Sequence, residues 1–106
     1  MSVLATALGK IRGLSDGNVN TYLGVRYGQP PVGAMRFKAS QMAEAWPGIH
    51  DATQYPNRAM QEKTLSTLGL PVGGAVSEDC LFLNIYSPKT DSTLRPVLAW
   101  FHGGGF

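Results

Sequence analysis

The sequence is short of cysteine, of charge and of long apolar runs, and each shortage closes off a class of protein. A single cysteine, Cys80, leaves no internal disulfide and no cysteine-based metal framework. No stretch approaches the ~20 consecutive apolar residues of a membrane-spanning helix. The opening residues Met1 to Leu8 carry no basic segment and meet Gly9-Lys10 too early for a secretory signal core. A cytoplasmic-type soluble chain is therefore expected, with secretion left open should a leader have been removed. Charged residues make up only 15% of the chain, nine basic and seven acidic, and they are scattered. With no basic block and a formal net charge of +2, neither nucleic acid nor an anionic membrane surface is an expected partner. Repeats, low-complexity tracts and dividing linkers are also missing, so the 106 residues read as one unit.

What remains is a globular composition, 43% hydrophobic, punctuated by thirteen glycines and seven prolines. That punctuation implies many turns and few long helices. Val3 to Leu14 alternates loosely and breaks at Gly9, which predicts two short strands. A tight turn at Ser15-Asp16-Gly17-Asn18 leads into a third strand over Val19 to Val25, rich in β-branched and aromatic residues. Together they form an antiparallel meander. The double proline of Gln29-Pro30-Pro31-Val32-Gly33 imposes an extended path. Ser40 to Trp46 has room for one helical turn, ended by Pro47-Gly48, and Ile49 to Thr53 reads as extended. Met60, Leu65 and Leu68 allow a short helix over Arg58 to Leu68. Cys80 to Tyr86 is the strongest strand of the middle region. Five apolar residues, Val97 to Phe101, then predict a strand buried on both faces, as in a parallel sheet.

Three glycines, Gly103-Gly104-Gly105, follow that last strand. Alone, they read first as a flexible turn at a strand end. They also suit backbone N–H groups aimed at a developing oxyanion, because no β-carbon blocks the reacting oxygen. A phosphate loop is disfavoured by the lack of a following Gly-Lys-Ser/Thr. His102 reads as structural more readily than as a general base. His50, Asp51, Glu78, Asp79 and His102 lack zinc-ligand spacing, so no metal site is expected. Glu78 and Asp79 are neighbours on an extended segment and point to opposite faces, so they do not form an acid–base pair. Pairing with a base such as Arg36 is the better reading. No serine stands in a Gly-x-Ser-x-Gly elbow.

Taken in order, five segments resemble the N-terminal part of the type-B carboxylesterase family, which includes the cholinesterases. They are Gly9-Lys10-Ile11-Arg12-Gly13; Tyr22 to Gly33 with Arg36-Phe37; Trp46 with Asp51-Ala52; Ser77 to Tyr86; and Pro96-Val97 through Phe106. The resemblance implies an α/β-hydrolase fold, here incomplete, with short antiparallel N-terminal strands leading into a central, mainly parallel sheet. Residues 1–106 would be one portion of a single domain. It also implies hydrolysis of a small-molecule carboxylic ester through a serine acyl-enzyme, without cofactor or metal. By the same resemblance, Gly104 and Gly105 are oxyanion-hole donors, and Arg36 and Glu78 form a buried ion pair. The triad lies beyond Phe106 in the family, so the chain alone is expected to be inactive. Two departures stand out. Ala59 takes the place of a cysteine that pairs with the Cys80 position in many members, and Arg26 and Gly28 replace the usual proline and alanine. A fragment of a non-catalytic, adhesion-type relative is the alternative reading.

Overall fold

In the computed structural model, residues 1–61, 74–88 and 91–103 are described. The molecule begins with a hairpin of β1 (Ser2–Thr6) and β2 (Gly9–Ser15), in register from Ser2 opposite Gly13 to Thr6 opposite Gly9. Thr6 closes its two-residue loop from both sides. Its hydroxyl donates to the Gly9 carbonyl at 2.7 Å and accepts the Leu8 N–H at 3.2 Å. The next turn is built by Asp16, whose Oδ1 accepts the N–H groups of Asn18 and Val19, each at 2.8 Å. Those two bonds hold the carboxyl below the usual carboxylate range and deliver the chain into β3 (Val19–Arg26).

The remaining strands are β4 (Ile49–Asp51) and β5 (Phe82–Pro88). The sheet runs β1-β2-β3-β5, and β4 pairs parallel with β2 through Lys10–Ile49, Ile11–His50 and Arg12–Asp51. Strand β2 therefore changes neighbours along its length: residues 10–12 lie between β1 and β4, and residues 14–15 pair with β3. Gly13 sits at that change. A β-carbon there would collide with the Thr21 carbonyl and come within 2.5 Å of the Tyr22 ring, so only glycine allows the approach.

The core lies under this junction. Ile11, Tyr22 and Ala52 are buried, and Leu4, Val25, Trp46 and Ile85 pack around them. Two polar groups at its rim are satisfied: the Tyr22 hydroxyl lies 2.8 Å from Ser2 Oγ, and Trp46 Nε1 donates to the Lys10 carbonyl at 2.9 Å. Between Tyr22 and Val25, β3 carries one residue more than β5, a β-bulge at Leu23-Gly24. Side chains and a neighbouring strand end capture the bulged backbone. Asn84 Oδ1 accepts the Gly24 N–H at 3.0 Å, His50 Nε2 lies 3.2 Å from the Gly24 carbonyl, and Leu23 N–H donates to the Ala52 carbonyl at 2.8 Å. Gly24 has a φ of 76°, in the left-handed region.

The N-terminal meander and the extended piece after Gly48 match the sequence reading, and the later strand is displaced to Phe82–Pro88. Three expectations fail. Ser40 to Trp46 makes no helical turn: Met42 bridges Gly28 as an antiparallel partner, and Gln29 N–H donates to the Gln41 carbonyl at 3.0 Å. The one helical element among the described residues is a 3-10 turn at Gly33–Met35, directly after the prolines. Arg58 to Gln61 is not helical, because Arg58 bridges Val76 instead, and the rest of that expected helix lies outside the described residues. The third failure is the terminal strand. Val97, Leu98, Trp100 and Phe101 are 83–92% exposed and unpaired among the described residues. A strand of that composition is stable only when neighbours cover its edges and both faces, and no described element does so here. No helix among the described residues is long and apolar enough to cross a membrane.

Candidate functional site

Gly104 and Gly105 lie outside the described residues. Their approach is visible. Asp91 and Arg95 form a forked ion pair with contacts of 2.7 and 2.8 Å, and Asp91 also accepts the Thr93 N–H at 2.9 Å. The Arg95 guanidinium, then the Thr93 amide, hold the Asp91 carboxyl well below its ordinary range. This local knot leads into Pro96 and the exposed apolar run. Beyond it, His102 Nδ1 lies 2.9 Å from the Gly103 carbonyl. A β-carbon on Gly103 would meet nothing within 4 Å.

Arg36 and Glu78 meet, with Nε 2.7 Å from Oε1. The pair is not buried as expected: the two side chains are 51% and 41% exposed. Arg36 follows the 3-10 turn at the molecule's rim, and its guanidinium spreads over the exposed Phe37 ring, 5.2 Å from the centroid. Water reaches both charges, so loss of one partner falls in the range of exposed pairs, about 0–1 kcal/mol, and not in the 3–5 kcal/mol range of buried ones.

The better-shielded pair is one the sequence reading missed. Arg26, at the end of β3, grips Asp79 with both ends of its fork, Nη1 to Oδ1 at 2.7 Å and Nη2 to Oδ2 at 3.0 Å. The side chains are 26% and 31% exposed. The guanidinium also lies 4.3 Å above the Phe82 ring centroid, and Nη1 donates to the Gly28 carbonyl at 3.4 Å. The adjacent carboxylates thus part company as an extended backbone requires, Glu78 to Arg36 and Asp79 to Arg26. A signal was present. Arg26 is one of two residues of its segment, with Gly28, that depart from the family pattern, and two neighbouring carboxylates call for two bases.

Backbone and side-chain hydrogen bonds join the segments around Arg58 and Ser77. Arg58 N–H donates to the Ala75 carbonyl at 2.7 Å, and Ser77 N–H donates to the Arg58 carbonyl at 3.0 Å. Arg58 Nε reaches the Gly74 carbonyl at 3.3 Å, and Asn57 Nδ2 reaches the Asp79 carbonyl at 3.2 Å. These bonds join residues 57–58 to residues 74–79, and Cys80 stands as a free thiol. Among the described residues, no three His, Cys, Asp or Glu side chains converge as a metal site would require.

Comparison with known proteins places this arrangement in context. The model of the carboxylesterase family matches residues 1–106. The para-nitrobenzyl esterase of Bacillus subtilis is 38% identical over 104 residues, covering 98% of this chain and 21% of that protein. The cholinesterase of Mus musculus is 39% identical over 114 residues, covering 98% and 19%. Among solved structures, a carboxylesterase of Geobacillus stearothermophilus superposes with a TM-score of 0.83 at 38% identity, over 98% of this chain and 20% of that one. The fold is that of the α/β-hydrolase esterases, represented here by a short, mainly antiparallel sheet. The chain belongs to the carboxylesterase family, and it spans about a fifth of the length of the relatives it matches.

Proposed function

We propose that this chain is the N-terminal portion of a carboxylic ester hydrolase that works through a serine acyl-enzyme. The observation that carries the reading is the family match over all of residues 1–106, which includes the His102-Gly103-Gly104-Gly105-Phe106 run. In this proposal, the N–H groups of Gly104 and Gly105 donate to the oxyanion of the tetrahedral intermediate, and a third donor sits beside the serine on a later part of the parent protein. Donors of this kind act where negative charge develops in the transition state, so they raise turnover more than they tighten ground-state binding. The 106 residues supply donors without a nucleophile, acid or base, and are inactive alone. Neither a cofactor nor a metal enters the mechanism. The matched relatives named above are esterases by name, which favours this reading over an adhesion-type relative.

The test uses the full-length parent with a chromogenic short-acyl ester. Gly104→Val or Gly105→Val keeps the N–H but puts a branched β-carbon beside the reacting oxygen. Either is expected to push that donor off the oxyanion and lower kcat by about 10²–10³-fold, the range for loss of one donor, with a smaller change in KM. Residues 1–106 alone should show no turnover. Unchanged kcat in both variants would remove the oxyanion assignment, and a parent without an esterase nucleophile would remove the enzyme reading.

A further inference from the structure

We draw no further inference here: the strongest candidate, the exposed apolar strip from Leu94 to Phe101 that follows strand β5, is an unpartnered surface, and nothing in the structure shows what covers it.

Discussion

Replacing Arg26 with lysine keeps the charge and removes the fork, which makes it a sharp test of how this fold is held. Arg26 makes two charge-assisted bonds to Asp79, one long bond to the Gly28 carbonyl, and a face contact with Phe82. Exposed ion pairs couple by about 0.2–1 kcal/mol, whereas breaking a fully buried pair costs about 3–5 kcal/mol. With side chains 26% and 31% exposed, the Arg26–Asp79 pair belongs between these limits. Its forked geometry places the coupling at about 1–2 kcal/mol, and the ring contact adds about 0.5–1 kcal/mol to the cost of removing the guanidinium. Arg26→Ala should therefore cost about 2 kcal/mol, and Arg26→Lys somewhat more than half of that, because a point charge cannot satisfy both oxygens.

The Tyr27 N–H, which donates to the Leu81 carbonyl at 3.2 Å, is the nearest local reporter. Native-state hydrogen exchange on the full-length protein should show that amide exchanging on the order of 25-fold faster in Arg26→Ala, since each 1.4 kcal/mol is a factor of ten. Asp79→Ala and the double variant complete the cycle. The Tyr22 hydroxyl contact and the β1–β2 hairpin should be unaffected in all three. A coupling energy below about 0.3 kcal/mol, or an Arg26→Lys variant as well protected as the parent, would refute the argument that the fork and partial burial make this pair the principal electrostatic tie.

Other consequences are simpler. Gly13→Ala forces a β-carbon into the Thr21 carbonyl and the Tyr22 ring. It should destabilise the meander by about 1–3 kcal/mol, the usual cost of overpacking, and an unchanged urea midpoint would contradict the close approach described. The Asp16 carboxyl is held low by the Val19 and Asn18 amides, so its folded pKa lies below its unfolded one. Its contribution is fully present above the unfolded pKa and is lost as pH falls through the folded value. An NMR titration should find the Asp16 carboxylate shifting at lower pH than a model aspartate, with the Asn18 and Val19 amide signals moving alongside it. Titration at the ordinary value would dismiss the cap. Residues 1–106 expressed alone should self-associate, because Val97, Leu98, Trp100 and Phe101 lie open to water. Light scattering should fall when Leu98 and Trp100 are replaced by serine, and a monomeric, cooperative unfolding transition of the unaltered chain would count against this account.

Local chemistry made much of the first half legible. Gly9 and the Asp16-Gly17 pair mark turns whose bonds depend on residues only two or three positions apart, so the β1-β2-β3 meander could be read directly. The ordered motifs carried the family, because five matched segments constrain a fold far more than composition does. The helical turn expected over Ser40 to Trp46 gives way to a backbone bridge from Gly28 to Met42, which overrides a weak helical preference. Ion pairing was half legible. That Glu78 and Asp79 point apart follows from an extended backbone alone, whereas which arginine each one meets depends on where β3 ends and on the path after the double proline.

The chain's own residues were enough to specify its turns, its antiparallel opening and its family, because each of these rests on local geometry or on motif order. Burial was decided only in three dimensions. Arg36–Glu78 stays wet at the rim while Arg26–Asp79 is partly shielded over Phe82, a contrast no spacing encodes. The run from Val97 to Phe101 has the composition of a strand covered on both faces, yet it stands exposed. Apolar residues encode a demand for cover, and only tertiary partners can meet it.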